Sequence, residues 1–300
     1  MSKNKEKIKT NNVNKLRKKT IITCALQGAY GSKELNPNIP ITPKELAEDA
    51  YNCWKAGAAI IHLHMKKEDG KSPSMEIKKF KLTRELIEEK CDAVVNMTTS
   101  GEINSRGDCM TIGSFDKNDT IRTGVIRLKP EIASFNVATM NFGRIVYINP
   151  VPFTEKLAYD MNEFGVKPEV ECFDVGHIRA AEALIKSGHL KTPVHFQLCL
   201  GIPGGVAATI ENLVYMSRLI PQGSTWSAFG IGASHIPVMY TTLSLGGHIR
   251  VGLEDNLYYE KGVLATNVQL VERAVKAAKL FGNDIATSDD ARNILELKER

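Results

Sequence analysis

Short β-rich runs alternate with helical patterns along almost the whole chain, and that alternation restricts the fold more than any single motif does. The strand-like runs are TIITCAL (20–26), AAIIHLH (58–64), DAVVNMTT (92–99), EIASFNV (131–137), PEVECFD (168–174), PVHFQLCL (193–200), STWSAFG (224–230) and GHIRVG (247–252). Between them lie helical segments at 42–57, 75–90, 118–125, 153–164, 177–187, 207–219 and 234–244, then a long amphipathic one at 265–282 and a last short one at 288–298. The first helix is marked in full: Thr42 as N-cap, Pro43 at the first helical position, Glu45 at capping-box spacing and Gly57 at the end. Strand–helix units of this number in about 280 residues match a (β/α)₈ TIM barrel, an α/β fold. A doubly wound open sheet is the main competitor, but LQGAYGS after the first strand does not fit the G-x-G-x-x-G fingerprint. The stretch 100–130 is long and polar, with only its short helix assignable.

Charge divides the chain into two parts. Residues 1–19 carry eight Lys/Arg and one Glu, so the net +5 of the whole chain belongs to this segment and the rest sums to −2. We expect 1–19 to be a solvated, disordered basic tail and 20–300 to be one catalytic barrel domain. The tail has no aromatic residue, no amphipathic face and no apolar core or cleavage site of a signal peptide, so neither a nucleic-acid arm nor a membrane arm is expected. No apolar run reaches the ~20 residues needed to span a bilayer. The six cysteines are scattered without a CxxC pair, which in a chain of this size reads as reduced thiols in a cytoplasmic protein.

The second strand ends in His62-Leu63-His64. Positions i and i+2 of a strand face the same side, and at the C-terminal end of a barrel strand that side is the mouth, where barrel enzymes place their active sites. Two imidazoles there suit Zn²⁺ or a similar ion, or they are hydrogen-bonded for structural reasons. A third ligand is expected on another strand end. GGHIRVGLEDN brings Glu254 and Asp255 to the end of strand eight, which in a closed barrel lies beside strand one and near strand two. His₂Glu with an open position is a recurring catalytic zinc set. The alternative for Asp255 or Asn256 is a helix N-cap.

The segments ITCALQGAYGSKELNPNIPITPKELAEDAYNCWKAGAAIIHLHMKKEDG, FNVATMNFG, LGIPGG and GGHIRVGLEDNLYYEKGVLATNVQLV resemble the β-keto acid cleavage enzyme family, of the 3-keto-5-aminohexanoate cleavage type known from lysine fermentation. The likeness runs from about residue 20 to 297. It implies a zinc-dependent (β/α)₈ barrel, a homotetramer, that converts a β-keto acid plus acetyl-CoA into acetoacetate plus a new acyl-CoA. Carried over residue by residue, it makes His62, His64 and Glu254 the zinc ligands. Thr98 stands where the family has a substrate-binding Ser, with Thr99 and Ser100 sharing that role, and Thr139 matches a substrate-contacting Thr. Arg250 and Asp255 match the catalytic Arg and Asp, and Asp174 matches an acidic position. In that chemistry Asp255 is the base at C2 and Arg250 stabilises developing oxyanion charge.

The chain departs from the family pattern at three places. Tyr30 stands where members acting on an ammonium-bearing keto acid carry Glu; its ring could hold a quaternary ammonium by cation–π contact, or simply pack in the mouth. Ser100 and Glu102 replace residues of a Gly-Gly turn, and the loop after them is longer. Lys66 replaces an Arg, keeping the charge and losing the fork. GIPGG (201–205) is a tight turn or a cradle for CoA phosphate, and His235 and His248 read as structural. Two rival readings are a metal-dependent hydrolase of amidohydrolase type, which places its HxH on the first strand and adds a later His pair, and a non-catalytic binding protein on the same scaffold.

Overall fold

The structure, a computed structural model, describes residues 18–106 and 109–298. Eight parallel strands close a barrel in sequence order: β1 (Ile22–Ala25), β2 (Ile60–Leu63), β3 (Val94–Met97), β4 (Ile132–Asn136), β5 (Lys167–Cys172), β6 (His195–Leu200), β7 (Thr225–Gly230) and β8 (His248–Val251). The ring closes where Ile249, Arg250 and Val251 of β8 pair with Ile22, Thr23 and Cys24 of β1. Around it run α1 (Pro43–Ala56), α2 (Ile77–Glu88), α3 (Thr120–Thr123), α4 (Val151–Phe164), α5 (Val175–Lys186), α6 (Ile210–Leu219), α7 (His235–Leu245), α8 (Asn267–Leu280) and α9 (Ser288–Leu295). No described helix is long and apolar enough to cross a membrane.

Local signals account for the helix ends. Thr42 and Glu45 form the expected reciprocal capping box at α1, and Thr266 with Gln269 forms another at α8. The apolar core is the shell between strands and helices, where Val170, Phe196 and Leu198 on the outward face of the strands meet Phe153, Leu157, Ile178 and Leu213. Removing that surface from water is the main stabilising term. The barrel interior is different. Barrels of this type are commonly filled with branched aliphatic side chains, but here Asn96, Ser134, Asn136, Glu169, Glu171, His195, Gln197, Ser227, His248 and Arg250 are all buried, on strands that alternate polar with apolar residues. The alternation PEVECFD thus reports a polar inside and an apolar outside.

The stretch 100–130 holds more structure than its polarity suggests. Ile103–Arg106 and Cys109–Ile112 form an antiparallel pair, and Cys109–Ile112 also pairs in parallel with Ile145–Tyr147. Ile145–Tyr147 in turn pairs with Met140–Phe142, so the loops after β3 and β4 merge into one four-stranded sheet outside the barrel. At the N-terminus, residues 1–17 of the expected tail lie outside the described residues. Lys19–Thr20, at the boundary drawn for that tail, pair with Asp284–Ile285.

Candidate active site

Gln27 and Asn96 flank the end of β2. Gln27, just past β1, donates its amide to the backbone carbonyl of His64 over 2.9 Å. On the other side, His62 faces Asn96 of β3 in the strand register. Asn96 Nδ2 then donates to Glu169 Oε2 over 2.7 Å. The two imidazoles meet edge to face with centroids 5.0 Å apart. Glu254, after β8, reaches both: its Oε2 lies 3.6 Å from His62 Nε2 and its Oε1 3.5 Å from His64 Nε2. The donor atoms of His62, His64 and Glu254 all lie within 4.8 Å of one another. Among the described residues no other cluster of His, Cys, Asp and Glu has metal-binding geometry.

Glycine makes room for that carboxylate. Gly28 has φ +64°, and a Cβ there would stand 2.4 Å from Glu254 Cγ. Gly252, at φ +139°, brings the chain so close to β1 that a Cβ would lie 2.0 Å from the Ala25 carbonyl oxygen. Only a residue without a Cβ permits either approach at low cost.

Arg250 is the hub of the charged groups. It donates Nε to Asp255 Oδ2 and Nη2 to Asp255 Oδ1, each over 3.0 Å. Its Nη2 is also 2.9 Å from Glu254 Oε1, and its Nη1 is 3.5 Å from Glu171 Oε1. The guanidinium lies over the Phe229 ring at 4.4 Å. Burial alone would lower the Arg250 pKa, but the Asp255 and Glu254 carboxylates raise it well above its usual value, so it is a fixed cation. Burial likewise works against ionised Glu254, yet Arg250 and the two imidazoles hold its pKa well below the usual carboxylate range. Burial raises Asp255 to about 6 despite Arg250. Burial lowers His62 to about 3, leaving it a neutral imidazole, the form that coordinates metals.

Glu171 belongs to the site, although only the position of Asp174 was expected there. It lines the cavity, accepts a 2.6 Å hydrogen bond from Asn136 Nδ2, and is raised to about 8 by burial, with Arg250 opposing. The visible signal was Glu169 and Glu171 two apart on one strand; what the sequence does not display is that this face looks inward at Arg250.

A cavity of about 430 Å³ collects His62, His64, Thr98, Ser100, Glu171, Arg250, Glu254 and Asp255 with Tyr30. Other expected site residues fall elsewhere. Thr99 is buried and donates its hydroxyl to the Ser134 carbonyl oxygen. Thr139 is exposed and accepts from the Asn149 amide over 2.7 Å. Asp174 caps α5, its carboxylate accepting from the Gly176 amide. Asp255 and Asn256 start no helix; the next one is capped by Thr266. Lys66 is buried and donates to the carbonyl oxygens of Ala29 and Lys71, holding the loop that carries Tyr30. In GIPGG the Gly201 and Gly205 amides donate to Val206 and Ile202 within the turn, which favours the tight-turn reading. His248 accepts from the Ile21 amide, and His235 contacts Gly232 and Arg273, both structural roles.

Comparison with known proteins agrees with this architecture. The family profile described as beta-keto acid cleavage enzyme matches residues 19–297. The chain is 40% identical over 283 residues to the 3-keto-5-aminohexanoate cleavage enzyme of Fusobacterium nucleatum, covering 94% of this chain and 99% of that protein. It is 34% identical over 296 residues to the 3-dehydrocarnitine:acetyl-CoA trimethylamine transferase of Rhizobium meliloti, covering 95% and 99%. Among solved structures, apo ObcA superposes with a TM-score of 0.73 at 21% identity over 87% of this chain and 66% of that one, a likeness of fold.

Proposed function

Because the chain belongs to the β-keto acid cleavage enzyme family, we propose that it exchanges acyl groups between a β-keto acid and acetyl-CoA, with His62, His64 and Glu254 holding a zinc ion. The balance is R–CO–CH₂–COO⁻ plus acetyl-CoA giving R–CO–S–CoA plus acetoacetate. The convergence of two imidazoles and one carboxylate beside the Arg250–Asp255 pair, in one cavity, carries this reading. The donor set fits the metal: the Nε2 atoms of two imidazoles face a carboxylate whose buried Oε2 has no hydrogen-bond partner among the described residues. When bound, zinc supplies a Lewis acid that polarises the keto group and stabilises negative charge at C2.

The chain's own groups do the rest. Asp255 takes a proton from C2, and Arg250 holds its carboxylate in place through two hydrogen bonds. The carbanion attacks the acetyl carbonyl, forming the new carbon–carbon bond, and the acetyl carbon–sulfur bond breaks to release the CoA thiolate. The CoA thiolate adds to the original keto carbon, the bond from that carbon to C2 breaks, and C2 recovers a proton from Asp255. Arg250 neutralises oxyanion charge as it develops. Thr98 and Ser100, both buried in the cavity wall, offer hydroxyls to the substrate carboxylate, and the Ser100 Oγ has no hydrogen-bond partner among the described residues.

Isotope tracing tests the reaction. With acetyl-CoA labelled at both acetyl carbons, acetoacetate should carry both labels at C3 and C4 and the new acyl-CoA none. Label recovered only as acetate or unreacted acetyl-CoA, across a panel of β-keto acids, would refute acyl exchange. Homotetrameric assembly in the cytoplasm belongs to the same proposal and is checked by light scattering of the purified protein.

A further inference from the structure

Resting on the acyl-exchange reading, we infer that the keto acid taken by this site carries an uncharged, apolar tail, and that the inserted four-stranded sheet selects it. Apart from its polar set the cavity is lined by hydrocarbon and aromatic rings, and much of that wall comes from outside the barrel. Ile112, Phe142 and Tyr147 belong to the sheet built from the loops after β3 and β4, while Tyr30, Phe173 and Ile202 follow β1, β5 and β6. The sheet residues also form one buried apolar cluster with Phe173, Cys199 and Phe229. The insertions are therefore fixed walls rather than loose loops.

The charged groups leave nothing for a charged tail. Among the described residues, the carboxylates, guanidinium and imidazoles lining the cavity are those of Glu171, Glu254, Asp255, Arg250, His62 and His64. All six are tied into one network, Arg250 to the three carboxylates and Glu254 to both imidazoles. A tail ammonium or carboxylate would lose its hydration against this wall and meet no unpaired counter-charge, only neutral groups such as the Tyr147 hydroxyl and the Asn256 side chain. Tyr30 supplies no anion, since burial pushes its hydroxyl up to about 12.

A quaternary ammonium cage needs several ring faces directed at one point. Here Tyr30 stacks nearly parallel to Phe142, with centroids 5.7 Å apart and planes 14° from parallel, so these two rings form an offset stack rather than converging on one point. Phe142 meets Tyr147 and Phe173 at 77°. This is the packing of an apolar wall. Each methylene that such a wall covers is worth about fourfold in affinity.

The experiment is a specificity profile of the zinc-loaded protein with acetyl-CoA, following acetoacetate. The substrates are 3-oxopentanoate, 3-oxohexanoate and 3-oxooctanoate against 5-amino-3-oxohexanoate, 3-oxoadipate and 3-dehydrocarnitine. We expect kcat/KM to rise about fourfold per methylene until the cavity is filled, and the best neutral acid to exceed every charged one by at least about 30-fold. Tyr30→Glu should raise the ammonium acid relative to 3-oxohexanoate at least about tenfold, and Phe142→Ala should flatten the dependence on tail length. A charged acid that matches or beats the neutral series in the wild-type protein overturns the inference and leaves acyl exchange standing. Failure of every acid to give acetoacetate overturns the acyl-exchange reading itself.

Discussion

Arg250 and Asp255 are locked together by two parallel hydrogen bonds, Nε to Oδ2 and Nη2 to Oδ1, each 3.0 Å long. A lysine at 250 would keep the positive charge and lose this fork. Arg250→Lys should therefore lower kcat by about 10²–10³, the range for removing one preorganised charge-stabilising donor, while zinc content stays near that of the wild type. Single-turnover kinetics beside metal analysis make the comparison, and an unchanged kcat would remove the fork from the mechanism.

His62→Ala and Glu254→Ala should each abolish stoichiometric zinc and turnover together, because two protein donors do not make the closed side of a catalytic zinc site. Elemental analysis and acetoacetate production are measured on the same preparation. Activity persisting in metal-stripped His62→Ala would exclude the metal role.

Asn96 acts one step further out. It lies opposite His62 in the strand register and is itself held by Glu169 over 2.7 Å. Asn96→Ala should weaken zinc affinity by about 10- to 100-fold, the usual effect of removing a group that orients a ligating histidine. Competition with a chromophoric chelator measures the shift, and an unaltered affinity would make Asn96 a packing residue only.

Asp49 on α1 gives a stability prediction independent of the active site. Burial raises its pKa to about 6 from 3.8, although Asn267 Nδ2 donates to its carboxylate over 2.7 Å. A folded-state pKa above the unfolded one means that the stabilising contribution is full below about pH 4 and is lost as pH rises through 6. At pH 7.5 the ionised form costs at most about 3 kcal/mol, less after solvent screening. Asp49→Asn should raise Tm at pH 7.5 and lose that advantage near pH 4. A constant difference between the two pH values would contradict the assignment.

The barrel strands were readable because each alternates or forms an apolar run bounded by turns, and the caps of α1 are local chemistry. The HxH pair and the Glu254–Asp255 end of β8 could be brought together from topology alone, since a closed ring makes strand eight a neighbour of strand one. Glu171 could not, because its role depends on facing Arg250 across the interior. Asp174 shows the converse difficulty: an acid at a strand–helix junction can face the mouth or cap the helix, and here its carboxylate accepts from the Gly176 amide. The strands at 103–112 and 140–147 escaped notice because they are short, partly polar, and stabilised by pairing with each other across more than thirty residues.

That pairing has a consequence for engineering. Ile145–Tyr147 takes its edge from Cys109–Ile112, so neither excursion is a self-contained cassette. Transplanting one of them from a relative would leave backbone amides facing a mismatched neighbour, and grafts that retune tail recognition would have to carry both excursions as a matched pair.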